Sequence, residues 1–181
     1  ILFPVFAKAR EKARQSSCLS NVKQMALAWL QYAQDYDECL PPQYWNGRYW
    51  AQLIRPYVKN DQIFICPSDR SYYATPGVGL YGGNTYGLQY APVGVSASTN
   101  NGGVALALVR YPAETLMVGD MDGSGNGICY PREDFVPASG YGVPSNRHNG
   151  GGNWAYVDGH AKWIAQQSTP YSVGGQRMWN F

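Results

Sequence analysis

The stretch 7–37 constrains the fold more than any other part of the chain. It opens on strong helix formers, Ala-Lys-Ala-Arg-Glu-Lys-Ala-Arg-Gln at 7–15, and from Leu19 an apolar stripe recurs at helical spacing through Val22, Met25, Ala26, Trp29, Leu30 and Ala33. Asn21, Lys23, Gln24, Gln31 and Gln34 take the opposite positions, so the upper half of this helix has one face for a core and one for water. Pro41-Pro42 ends it. At about 1.5 Å per residue such a helix is about 45 Å long, well beyond the globular average. The lower half, 7–14, carries small alanines and charges without a broad apolar stripe, and is expected to project from the body.

The residues before it, Ile1, Leu2, Phe3, Pro4, Val5 and Phe6, form an apolar opening far shorter than the roughly 20 residues a bilayer crossing takes. It reads as the remnant of a longer apolar segment, with Pro4 placed to kink or melt any helix that continues upstream.

After Pro42 the pattern changes to short elements between turns. Residues 50–58 suggest a short helix broken near Pro56, and 63–65 is a brief apolar run. Alternation at 85–90 puts Tyr86, Leu88 and Tyr90 on one side of a strand, and 115–118 reads as a buried strand. The clearest hairpin is 153–164, with Asp158-Gly159 as a two-residue turn. That register opposes Trp154 to Trp163 and Tyr156 to Ala161, and places all four on the side expected to cover the helix stripe. The terminal Met178, Trp179 and Phe181 suggest a tucked C-terminus. A chain of 181 residues supports one compact body, and the abundance of glycine (21) and proline (12) beside only 14 % charged residues makes that body loop-rich and weakly charged. A net charge of +2 and the lack of any long Lys/Arg run argue against nucleic-acid binding.

The charges that are present sit oddly. Lys8, Arg10, Lys12 and Arg14 lie at the N-terminal end of the helix and Asp35, Asp37 and Glu38 at its C-terminal end, opposite to the preference of the helix dipole. A solvated surface is one explanation. The other is a staggered bundle of parallel stems, in which the acidic top of one subunit lies beside the basic stretch of another.

Four cysteines, Cys18, Cys39, Cys66 and Cys129, are scattered without a Cys-x-x-Cys pair, which argues against a structural zinc or haem motif and for disulfides outside the cytoplasm, with four unpaired structural thiols in a reducing compartment as the alternative. Cys18 and Cys39 are separated by most of a helix, roughly 30 Å, and cannot bond, so two connectivities remain. Asp120, Asp122, Ser124 and Asn126 alternate with Met121 and glycines like the start of a calcium loop, but the closing hydrophobic residue and Glu133 arrive late; an acidic glycine-rich turn is the alternative to Ca2+. No other cofactor is called for. His148, Asp158 and His160 offer no nucleophile with base and orienter, and are expected to be a turn aspartate and two hydrogen-bonding histidines. Nothing in the sequence makes a catalytic site, so no enzyme is expected. The tyrosines crowded into 71–90 suit either core or interface.

Four motifs occur in order: Phe-Pro-Val-Phe-Ala-Lys-Ala-Arg-Glu-Lys-Ala-Arg-Gln (3–15), Cys-Leu-Ser-Asn-Val-Lys-Gln (18–24), Cys-Pro-Ser-Asp (66–69) and His148-x9-Asp158-Gly159. Together they resemble type IV pilin-like proteins, and more closely the bacterial prepilin-type proteins named for a His-x9-Asp-Gly signature. The resemblance implies an α+β, pilin-like fold: an N-terminal helix over 1–40 and a β-rich head over 41–181, with the helix packed on a small antiparallel sheet carrying long Gly/Tyr-rich loops. It implies a structural subunit that polymerises through residues 1–6 and the basic neck with copies of itself into a helical filament outside the cell. The inner membrane, on its periplasmic side, and a pilus or secretion assembly machinery would be its partners beforehand. Because two motifs contain Cys18 and Cys66, it favours the pairing Cys18–Cys66 with Cys39–Cys129. A secretion pseudopilin and a monomeric surface module for carbohydrate or adhesion are the alternatives.

Overall fold

A computed structural model of the chain describes residues 3–69, 86–89, 103–122, 128–129 and 143–165, and the structural statements that follow concern these. Between Val5 and Leu40 there is neither glycine nor proline, and helix α1 runs unbroken over Phe3–Asp35, 33 residues or about 50 Å. Pro4 falls in its first turn, where a missing N–H breaks no intrahelical bond. The helix stops before the two prolines. Asp37 and Glu38 adopt left-handed backbone (φ 50° and 57°), and the Glu38 N–H reaches back to the Ala33 carbonyl at 2.9 Å, satisfying an acceptor that the helix end leaves open.

The buried face of α1 is a continuous stripe, Gln15, Cys18, Val22, Met25, Ala26, Trp29 and Ala33, at three- and four-residue intervals. It meets one face of a sheet through Tyr86, Met117, Val118, Ala155 and Val157. Trp50, Ile54, Ile63 and Phe64 close the core from the side. The last four come from short elements. A small hairpin, β1 (Tyr44–Trp45) and β2 (Arg48–Tyr49), turns through Asn46 and Gly47, both with positive φ, as a two-residue primed turn requires. It leads into α2 (Trp50–Ile54) and a 3₁₀ turn, Arg55–Tyr57, that starts with Pro56 in its first positions, the break expected there. A second 3₁₀ turn, Asp61–Phe64, is capped by the Asn60 carboxamide oxygen, which accepts from the Gln62 N–H.

The main sheet comprises β3 (Tyr86–Gln89), β4 (Leu116–Asp122), β5 (Ile128–Cys129), β6 (Val143–Pro144), β7 (Gly151–Tyr156) and β8 (Ala161–Ala165). Its order is β5-β3-β4-β7-β8, with β6 also pairing β4. All pairs are antiparallel except β3 with β5. The architecture is therefore α+β, a long N-terminal helix laid on a small, mainly antiparallel sheet. A bulge between Leu116 and Val118 turns Met117 and Val118 together toward the helix, leaving Leu116 and Met121 on the opposite face.

The β7–β8 hairpin departs from the expected register by one residue. Trp154 pairs with Lys162 and Ala155 with Ala161, so the loop holds more than Asp158-Gly159. Only Gly159 of that dipeptide has positive φ (+90°), and the Tyr156 N–H bonds the His160 carbonyl at 2.9 Å. A two-residue primed turn needs two suitable residues; one glycine closes a wider loop instead. A one-residue slip exchanges the faces. Trp154 and Tyr156 consequently pack with Leu116, Met121 and Ile164 away from α1, while Ala155 and Val157 face it. Trp163 is partly exposed.

Candidate functional site

Four polar side chains from four separate segments converge where α1 crosses the sheet, and all four have zero solvent exposure: Cys18, Cys66, Asp120 and His148. Cys18 belongs to the buried stripe of α1, which extends downward through Gln15 to Glu11. Asp120 follows Val118 by two on β4 and thus shares the helix-facing side. Opposite it across the strand pair stands Tyr86.

Cys66 opens a tight turn in which the Asp69 N–H donates to its carbonyl at 3.0 Å, with Pro67 at the position where its fixed φ suits such a turn. Each polar side chain of Cys-Pro-Ser-Asp then has a partner. The Ser68 hydroxyl donates to Glu11 at 2.8 Å, and Asp69 pairs with Arg147 at 2.8 Å, both side chains nearly buried. Arg147 also donates to the Ser145 hydroxyl at 2.8 Å and to the Met121 carbonyl, binding the Cys-Pro turn to β4. His148 sits in the turn before β7, where Asn149 and Gly150 have positive φ; its carbonyl accepts from the Trp163 indole at 2.8 Å.

Within the cluster the Cys18 sulfur lies 3.2 and 3.3 Å from the two Asp120 oxygens. His148 Nε2 is 3.3 Å from the Cys66 sulfur and 3.3 Å from Asp120 Oδ2. A second ring of contacts fixes these groups from behind. His148 Nδ1 meets Glu11 Oε1 at 2.8 Å, the Asn153 N–H donates to Asp120 Oδ2 at 2.7 Å, and the Tyr86 hydroxyl donates to the Cys18 sulfur at 3.4 Å.

Burial among anions shapes the proton affinities. Burial, the neighbouring Cys66 and the Asp120 charge push the Cys18 thiol well up. Cys66 is pulled the other way, to about 6, by hydrogen bonding from Cys18 and His148 against the effect of burial. Burial alone would lower His148, but its bonds to Asp120 and Cys66 overcome this and raise it to about 10. Tyr86 is raised by burial and by Cys18, Asp120 and Cys66.

A thiol beside an imidazole and a carboxylate is the makeup of a nucleophilic site, but every member here has zero exposure. The cluster can instead oxidise to a disulfide or close around a cation, since its four ligand atoms all lie within 4.8 Å of one another.

Several expectations change here. Cys18, Cys39 and Cys66 are thiols rather than halves of disulfides. Cys18 and Cys66 do lie together, as their motifs imply, but among two further ligands. Cys39 instead forms a β-bridge with Ala105, and Cys129 is a backbone position in β5. Asp120, expected to open a calcium loop, lies on β4, where alternation buries it beneath α1 between sulfur and imidazole. Asp122 continues β4, where it pairs with Val143, and Ser124 and Asn126 lie outside the described residues. His148 hydrogen-bonds as expected, and does so inside the cluster, to Glu11, Asp120 and Cys66. Asp158 and Gly159 of the same motif form the β7–β8 loop, where Asp158 accepts from the His160 N–H at 3.0 Å.

The neck projects less far than the sequence suggests. Residues 5–10, including Lys8 and Arg10, are exposed, with Val5 at 63 % and Phe6 at 60 %, but Glu11 is held by Ser68 and His148. Lys12 bonds the Gln15 side chain at 2.9 Å and lies over the Trp163 ring, and Arg14 is 3.8 Å from Glu11. Ile1, Leu2, most of the tyrosine-rich stretch 71–90 and the C-terminal aromatics lie outside the described residues. The signal that could have revealed the site is an aspartate ending the apolar run Leu-Met-Val-Gly-Asp at 116–120, since a charge on a buried strand needs a partner.

No helix among the described residues is long and apolar enough to cross a membrane. No curated protein and no solved structure matches the chain. Residues 7–64, which span most of α1, α2 and the 3₁₀ turns Arg55–Tyr57 and Asp61–Phe64, match the family described as a protein of unknown function (DUF1559), a family typical of prepilin-like bacterial surface proteins.

Proposed function

We propose that this chain is a structural subunit of an extracellular pilus-like filament, polymerising with copies of itself through the lower end of α1, and that it has no catalytic role. The observation that carries this reading is the division of one helix into two environments. From Glu11 upward α1 is fastened to the head and its stripe is core; below, Val5 and Phe6 present apolar side chains to solvent. An exposed apolar helix end is costly for an isolated molecule and useful in a bundle of parallel stems. The match of 7–64 to a family typical of prepilin-like surface proteins supports the same reading.

The test is electron microscopy of the native cell surface with antibody raised against the head, comparing the unaltered chain with Val5→Lys and Phe6→Glu. Long labelled filaments that vanish in both variants, with the head still folded, support the proposal. Label confined to short periplasmic structures favours a secretion pseudopilin. A monomeric surface protein unaffected by either variant overturns polymerisation through α1.

A further inference from the structure

We propose that Cys18, Cys66, Asp120 and His148 bind a structural Zn²⁺ ion that fastens α1 to the head. The chemistry of the donors selects the metal. Two sulfurs, an imidazole nitrogen and a carboxylate oxygen suit a borderline cation, whereas Ca²⁺ and Mg²⁺ call for oxygen ligands throughout. The geometry fits as well. Zinc bonds of about 2.3 Å to sulfur and about 2.0–2.2 Å to nitrogen and oxygen, arranged tetrahedrally, set ligand atoms about 3.3–3.8 Å apart. The separations here are 3.3 Å from Cys18 to Asp120 Oδ2, 3.3 Å from His148 Nε2 to the same oxygen and 3.3 Å from His148 Nε2 to Cys66, and all four ligand atoms lie within 4.8 Å of one another. Four protein ligands with no exposure leave no open position for water, so the site is of the closed, structural kind rather than catalytic.

The surrounding contacts are those such a site uses. His148 turns Nε2 inward because Glu11 holds Nδ1 at 2.8 Å, the carboxylate–histidine arrangement that orients a metal-bound imidazole. Ser68 fixes Glu11, Asn153 fixes Asp120, and Tyr86 donates to Cys18. Binding would release protons from the cluster to solvent and leave two thiolates and one carboxylate around the dication, with His148 neutral. The ligands lie on α1, the Cys-Pro turn, β4 and the turn before β7, so the ion would join three segments of the head to α1. The site stands independently of the filament reading.

The decisive experiment purifies the full chain without reductant or chelator, measures zinc by elemental analysis, and records X-ray absorption at the zinc edge. One zinc per chain with a shell of two sulfurs and two lighter atoms is the expected result. Replacement by Co²⁺ should give intense thiolate-to-cobalt absorption and tetrahedral ligand-field bands, both lost in Cys66→Ser. Because ligand variants can fail to fold, Glu11→Gln provides a second readout: it should keep its far-ultraviolet circular dichroism while losing about 10–100-fold in Zn²⁺ affinity. A Cys18–Cys66 peptide from the non-reduced native chain, or a folded chain that binds neither Zn²⁺ nor Co²⁺, overturns the proposal.

Discussion

Glu11 and His148 are 137 residues apart in the chain and 2.8 Å apart in the fold, a partly buried helix carboxylate on a fully buried imidazole. This contact marks the boundary on α1 between stem and body. Above it the helix buries Cys18 and the core stripe; below it residues 5–10 are exposed.

Removing that carboxylate should loosen the junction. Glu11→Ala abandons both the Ser68 hydroxyl and His148 Nδ1, and a buried group that loses a charged partner costs about 1.5–3 kcal/mol. Urea unfolding should show a lower midpoint at unchanged slope. A midpoint equal to that of the unaltered chain would mean that the contact contributes nothing.

Gly159 in the β7–β8 loop has φ +90°, and a Cβ there would come within 3.0 Å of Leu30 Cδ1 on α1. Gly159→Ala should therefore destabilise by about 1–2 kcal/mol through backbone strain alone. Thermal melting compared with Gly150→Ala, whose Cβ meets nothing within 4 Å despite φ +86°, separates strain from helix contact: only the first variant carries both.

Charge reversal at Lys8 and Arg10 is predicted to reduce filament yield without changing the melting temperature of the head, because both residues are exposed and neither belongs to the buried stripe. Reversal at Lys12 should do both, since Lys12 also holds Gln15 and covers Trp163. Filament mass from sedimentation beside head stability from circular dichroism distinguishes the two patterns; equal filament yield for Lys8→Glu and Arg10→Glu would refute the role of the basic neck.

Tyr57 donates to Asp35 Oδ2 at 2.7 Å, tying the 3₁₀ turn to the top of α1. Partial burial and the Asp35 carboxylate push the phenol from 10.0 up to about 12. A group held protonated more tightly in the folded state stabilises fully below its unfolded pKa, and that contribution is lost as pH rises through the folded value. Melting temperature should thus fall between about pH 10 and 12 for this reason, and Tyr57→Phe should flatten that part of the profile. An identical alkaline slope in the variant would show that Tyr57 is not the group responsible.

The sequence by itself determined the elements whose evidence is local. Helix formers and a 3.6-residue stripe specify α1, Pro56 specifies the break after α2, alternation marks β3, and a buried-strand pattern at 115–118 marks β4. The α+β class came from these elements together with the family resemblance that the motifs carry. Two matters were decided only in three dimensions. The hairpin register turned on whether one glycine or two residues would take up positive φ, a difference of a single position that exchanges the faces of Trp154 and Ala155. The Cys18–Cys66–Asp120–His148 cluster joins residues spread over 130 positions, with none of the short ligand spacings that betray a metal site in sequence. Strand alternation on β4 and the crossing of α1 over the sheet bring them together, and long-range packing of this kind leaves no periodic trace in the chain.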